Sequence, residues 1–158
     1  MSRETRKAER AEDALYRCQG DVASEEWVRW SVDDRSIFNG QFGDFVTRRD
    51  GSRAIVRLQP HAALGNYAGA LHGGAVMTFI DLAMFLGMSI LGHWSSAAFG
   101  MTVDCNVQFV GAADLERPVD AAVELTRETG QFLFVRGTVD QAGDIVAAFM
   151  GMLRKPRR

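Results

Sequence analysis

The sequence predicts an α+β fold: a six-stranded antiparallel sheet wrapped around one long central helix, preceded by an N-terminal helical extension. Three observations predict it. Residues 75–92, AVMTFIDLAMFLGMSILG, are apolar on nearly every face of a helix, so that helix must be covered nearly all round. Upstream, two strand-like runs flank Asp50-Gly51, a hairpin signal because both central positions of such a turn want positive φ. Downstream, the apolar period becomes two over segments 97–110, 117–130, 131–143 and 144–155. An antiparallel sheet curled about the helix would supply the cover and leave its outer face polar.

Taken in order, residues 3–19 are highly charged with a narrow apolar stripe at Ala8, Ala11, Leu15 and Cys18, the pattern of a solvated leader helix. Over 24–38 the aromatics Trp27, Trp30 and Phe38 are expected to pack a short helical segment onto the body of the protein. Strands are expected at 42–49 and 52–59, then a loop from Pro60 to Leu71, with Gly73 and Gly74 opening the central helix and Gly92 ending it. Turns at Asp114 to Pro118, Thr129-Gly130 and Ala142-Gly143 separate the last four strands. This divides the chain into an extension, 1–37, and a domain, 38–158. At 158 residues one core is expected.

Composition narrows the partners. With 47% apolar and 24% charged residues the chain reads as globular rather than disordered. A net charge of -2 offers no basic footprint for nucleic acid. Cys18 and Cys105 are sparse and in unlike contexts, and the first residues are charged with no apolar core of a signal peptide, so a reducing, cytoplasmic setting is expected. Residues 75–92 approach the length of a membrane span, but Asp81 near the midplane would cost about 2.5–3.5 kcal/mol. No Lys or Arg stands between Arg57 and Arg117 to anchor a span, so a buried helix and no membrane partner are expected. The spacing of His61, His72 and His93 does not resemble a metal site, and no metal is expected.

Asp81 is the informative residue. A lone carboxylate in an apolar run is costly unless something interacts with it, and two turns into a helix it cannot be an N-cap. At the helix start, His72-Gly73-Gly74 leaves first-turn N–H groups uncovered by side chains at the positive end of the helix dipole. Such donors suit an anion or a developing oxyanion. Asn66 and His72 bring polar groups to the same loop. Gly73 and Asp81 are eight residues apart, about 12 Å along a helix at 1.5 Å per residue, so one reacting carbon cannot touch both. If they share a site, Asp81 must come from a second copy of the chain with its helix antiparallel, giving a homodimer with two composite sites.

These residues resemble a known family. Asn66, Gly69, His72, Gly73, Gly74 and Asp81, in NYAGALHGGAVMTFID, are similar to the signature of hotdog-fold acyl-CoA thioesterases of the phenylacetyl-CoA type, related to the 4-hydroxybenzoyl-CoA thioesterases. The likeness runs over residues 38–154. It implies hydrolysis of an acyl- or aryl-CoA, with CoA part of the substrate and no separate cofactor. Asp81 would be nucleophile or general base, and the Gly73 N–H would polarise the thioester carbonyl. Asn66 and His72 would line the same end, and Thr102 would help orient water. The acyl pocket is expected from Met77, Phe79, Met84 and Phe85 together with strand residues of the partner, Gly74 is expected to face substrate, and phosphate contacts are expected from Arg127, Arg136, Arg154 and Lys155. A homo-oligomer is expected, a dimer at the least and a tetramer by pairing of dimers. Two other readings use the same groove, a non-catalytic acyl-thioester binding module and a hotdog dehydratase; His72-Gly73-Gly74 lacks the latter's motif.

Overall fold

A computed structural model describes residues 16–20, 26–93 and 100–156. The strands are β1 (Arg17–Gln19), β2 (Val28–Ser31), β3 (Phe45–Asp50), β4 (Arg53–Leu58), β5 (Met101–Phe109), β6 (Val119–Glu128), β7 (Phe132–Gln141) and β8 (Asp144–Arg154). One α-helix, α1 (Gly73–Ile90), lies between β4 and β5, and short 3-10 turns occupy Asn39–Phe42 and Ala62–Leu64. The strands form one sheet in the order β1-β2-β3-β4-β6-β7-β8-β5, antiparallel throughout. The expected six are β3 to β8; β1 and β2 raise the number to eight.

Both additions fall where the sequence reading placed helix. Of the leader helix expected at 3–19, residues 3–15 lie outside the described residues, and Arg17–Gln19 is a strand. The segment 24–38 holds β2, because Val28, Trp30 and Val32 alternate with Arg29 and Ser31 and the three apolar side chains are buried. Trp30 Nε1 donates to the buried Thr47 Oγ1 at 2.8 Å, which pins β2 to β3. Trp27 and Phe38 do not pack inward. Trp27 lies outside, with the guanidinium carbons of Arg57 and Arg48 4.5 and 5.3 Å from its ring centroid, and Phe38 is exposed.

The first hairpin is displaced by one residue from its expected turn. Asp50 pairs with Arg53, so the loop is Gly51-Ser52, and only Gly51 has positive φ, +61°. At the last hairpin Ala142 and Gly143 both have positive φ, 55° and 93°, as a two-residue turn of that hand requires.

α1 is bedded against β3, β4, β5, β6 and β8, and its apolar residues form the core with the inward positions of the strands. It is long and apolar enough to cross a membrane by length and composition, but its apolar side chains are used against the sheet. Close contact depends on glycine. A Cβ at Gly87 would come within 2.9 Å of Val123 Cβ, which is why the helix can seat deeply on β6. On β7, a Cβ at Gly137 would lie 2.1 Å from the Ala122 carbonyl oxygen and 2.5 Å from the Phe149 ring. Because backbone cannot yield as a flexible side chain can, Gly137→Ala is expected to destabilise by about 3 kcal/mol, checked as a lower urea midpoint at unchanged m-value.

Candidate functional site

The site begins in the loop ahead of α1. Asn66 Oδ1 accepts the N–H groups of Ala68 and Ala70 at 2.9 and 3.1 Å, while its backbone exchanges bonds with Ala70 and Gly69. The Asn66 side chain therefore builds the loop that delivers His72, and its amide nitrogen has no hydrogen bond among the described residues. Leu71 N–H donates to the Ala113 carbonyl and His72 N–H to that of Leu64, fixing where the helix starts.

His72 is the N-cap, in extended backbone at φ -67°, ψ 136°. Its Nδ1 accepts the Gly74 N–H at 2.9 Å, so the ring proton sits on Nε2. The Gly74 donor, expected to face substrate, is thus occupied. Gly73 N–H has no acceptor among the described residues, and it stands at the positive end of an 18-residue helix. The Phe109 ring lies beside it, 3.6 Å from where a Gly73 Cβ would be.

Asp81 is on the one face of α1 that the sheet does not cover. Gly74, Met77, Thr78, Asp81 and Phe85 follow at helical spacing, and each keeps some exposure, whereas their neighbours Ala75, Val76, Phe79, Ile80, Leu82 and Met84 are buried. Met77 and Phe85, expected in the acyl pocket, are on this stripe. Phe79 and Met84, also expected there, are not: both are fully buried in the core, where Phe79 stacks on Phe45. Phe79 lies nearly a half-turn around the helix from Asp81, whereas Met84 is only about 60° away and is covered because its thioether packs against Gly151 of β8.

Thr102 of β5 donates its hydroxyl to Asp81 Oδ1. The structure thus brings together two residues twenty-one positions apart, and a β-bulge in the pairing of β5 with β8 follows Thr102. Thr102→Val is expected to lower kcat/KM about 10- to 100-fold, the worth of a hydrogen bond to a charged group. Thr102→Ser, keeping the hydroxyl, should restore it in a steady-state assay. Two groups that the sequence reading leaves out also feel Asp81. Burial first, then the Asp81 and Asp104 carboxylates, pushes the Cys105 thiol up; burial first, then Asp81, pushes the Tyr16 phenol up. Neither carries a local sequence signal, since both are brought there by strand pairing and chain path.

The expected phosphate contacts are more scattered. Arg136 is engaged by Glu124 on the neighbouring strand at 3.0 Å, and Lys155 binds Glu128 and the Thr129 carbonyl. Arg127 is exposed and makes no ion pair among the described residues. Lys155, followed by His93, holds the Glu128 carboxyl below its usual range. Among the described residues no three His, Cys, Asp or Glu side chains are grouped to hold a metal ion.

Comparison with known proteins now places the chain. The thioesterase superfamily profile matches residues 68–148, a span that includes His72, Gly73, Asp81 and Thr102. Comparison with curated protein sequences gives no match. Among solved structures, a conserved protein of Pseudomonas aeruginosa is 25% identical, with TM-score 0.59 over 67% of this chain and 82% of its own. A hypothetical thioesterase of Streptococcus pneumoniae TIGR4, solved with coenzyme A, is 16% identical, with TM-score 0.62 over 72% and 87%. The E. coli PaaI protein of the phenylacetic acid degradation operon is 17% identical, with TM-score 0.58 over 70% and 77%. At that identity the last two speak for the fold, one helix wrapped by an antiparallel sheet. The chain belongs to the thioesterase superfamily and is a thioester hydrolase of the hotdog fold.

Proposed function

We propose that the protein hydrolyses an acyl- or aryl-CoA thioester to the free carboxylic acid and CoA, at a site shared between two antiparallel copies of α1. The observation that carries this reading is the Thr102–Asp81 pair on the single uncovered stripe of the helix. Thr102 holds Oδ1 and leaves the second carboxylate oxygen for chemistry. Acting on water, Asp81 would take its proton as the water oxygen attacks the carbonyl carbon. The C–S bond then breaks, and the proton passes to the CoA sulfur. Acting as nucleophile, Asp81 would attack the carbonyl carbon and expel CoA as its thiolate, forming an acyl anhydride. Water then opens the anhydride, returning the Asp81 carboxylate and the free acid, and the proton released passes to the CoA sulfur. In either course the carbonyl oxygen gains charge and needs a donor, and the partner's unpaired Gly73 N–H is of the right kind.

The dimer is supported by the free edge of the sheet. β5 is the last strand in the order, and Met101, Val103, Phe109 and Val110 along and beyond it are exposed. An edge strand presenting apolar side chains is a surface for another strand. Exposed Phe134 and Met150 on the neighbouring strands offer a second contact through which dimers would pair. CoA solved with the Streptococcus pneumoniae relative supports CoA as the carrier here, and Arg127, exposed and without an ion pair among the described residues, is the candidate contact for a phosphate.

The test is thiol release, followed with a thiol-reactive chromophore, over acyl-CoA thioesters from acetyl to long-chain, phenylacetyl and benzoyl. Turnover of one or more is expected. A folded dimer that releases thiol from none of them would count against CoA as carrier. Single turnover in ¹⁸O-water separates the two courses, since only the nucleophilic one places label in the Asp81 carboxylate.

A further inference from the structure

Tyr67 stands wholly in solvent, 105% exposed, on the loop that delivers His72 and Gly73. That loop is tightly bonded. Asn66 Oδ1 takes the N–H groups of Ala68 and Ala70, and Gly69 N–H donates to the Asn66 carbonyl at 3.0 Å. Gly69 closes the turn at φ +77°, with nothing within 4 Å of where its Cβ would be. The turn therefore holds an aromatic ring out from the protomer at a fixed place. The loop is also laced to the chain that runs on from β5, through Leu71 N–H to the Ala113 carbonyl and the bridge between Ala70 and Asp114. It thus lies on the β5 side of the protomer, where the sheet has its free edge.

In the proposed dimer the two copies of α1 run antiparallel, with Asp81 beside the partner's Gly73. A step toward the C-terminus of one helix is then a step past the N-terminus of the other. Phe85 is four positions beyond Asp81, on the same uncovered stripe, and about 6 Å further along the axis. Four positions ahead of Gly73 is Gly69, so the partner's loop 66–70 comes level with Phe85. A tyrosine side chain has about 150–250 Å² to bury, and its own protomer covers none of it. Because the turn is already set, little freedom is lost when the ring meets a second surface.

Resting on the shared site proposed above, we propose that Tyr67 is a specificity-determining residue that acts across the dimer. Its ring lies against Phe85 of the partner subunit, and the two rings form the outer wall of that subunit's acyl pocket. Toward the dimer axis the pocket ends at Met77, which the same antiparallel geometry sets opposite its own copy. Neither ring carries a charge or a paired set of donors for a phosphate, so the wall meets the acyl group and not the carrier. An acyl group extending past its first carbons gains contact with Tyr67, whereas an acetyl group ends short of it.

Photo-cross-linking locates the ring, and calorimetry reads its effect. With p-benzoylphenylalanine in place of Tyr67, irradiation should give a covalent dimer whose link maps by mass spectrometry to the partner's helix between positions 82 and 89. For binding, the non-hydrolysable thioethers ethyl-, hexyl- and phenethyl-CoA are titrated into wild type, Tyr67→Ala and Tyr67→Phe at concentrations where each is dimeric. Tyr67→Ala should weaken hexyl- and phenethyl-CoA about three- to tenfold and ethyl-CoA by less than about twofold, while Tyr67→Phe stays within about twofold of wild type for all three. A link confined to one chain or to another part of the partner would overturn the assignment. So would an equal loss for all three thioethers, which would make Tyr67 an interface residue only, or no loss for any. Neither measurement needs turnover, so absence of thiol release in the wild-type panel would defeat the hydrolytic reading and leave both readable.

Discussion

Asp81→Asn is expected to lower turnover about 100- to 10,000-fold, the span over which a positioned proton acceptor or nucleophile contributes. Asparagine has nearly the same volume, and its carbonyl oxygen can still accept the Thr102 hydroxyl, so the helix and β5 should stay in place. Removing a charge from a partly buried, mostly apolar face should leave stability equal or slightly higher. The two results are read together: thiol release on the best substrate, and the urea midpoint by circular dichroism. A folded Asp81→Asn protein retaining more than about a tenth of wild-type activity would remove Asp81 from the chemistry.

The second large effect is expected from Gly73→Pro. Gly73 is the first helical residue, where proline's missing N–H breaks no intrahelical bond and its fixed φ suits the helix. His72 already has the extended backbone that a following proline demands. The nearest atoms to a new Cβ are those of Phe109 at 3.6 Å, an ordinary contact. The substitution thus removes one N–H and little else, and kcat should fall about 100- to 1,000-fold, as for loss of one oxyanion donor. Wild-type kcat in this variant would assign the carbonyl's donor elsewhere. Mixed by co-refolding, Asp81→Asn and Gly73→Pro chains should regain about a quarter of wild-type activity. Half of the randomly paired dimers are hybrids, and each hybrid has one intact site. A site contained within one chain would regain none.

How legible this was in the sequence differs from element to element. The strands from β5 to β8 were readable because their inner positions, such as Val119, Ala121 and Val123, alternate with outward ones over nine to eleven residues. The helix was readable from its length and from Gly73-Gly74. Trp30 shows what misled the rest. Its segment carries an alternation of only five residues, Val28 to Val32, set among charges, and its partner Thr47 is seventeen positions on. A short strand is decided by the sheet it joins rather than by its own residues. The one-residue slip at Gly51 has a similar cause, since the Phe45 and Val56 sides of the hairpin must both face the core and that fixes the register.

Within the site, chemistry was more legible than occupancy. Asp81 stood out by its cost, and its spacing from Gly73 followed from helix geometry alone. That His72 would cap Gly74, or that Asn66 would spend its oxygen on its own loop, depends on backbone path and not on residue type. The exclusion of Phe79 from the stripe was readable in principle, because it is nearly a half-turn around the helix from Asp81; that of Met84, only about 60° away, depends on its packing against Gly151 of β8.

The eight-position separation of Gly73 from Asp81 along one rigid helix has a kinetic consequence for the proposed site. In the proposed dimer each newly made chain would carry every group of the site yet enclose none, so assembly would be the activating step. Below the dissociation constant of the dimer, the rate should vary with the square of total enzyme, and specific activity should fall on dilution and recover on reconcentration. The fold would thereby spare the thioester pool until enough chains have accumulated to meet one another.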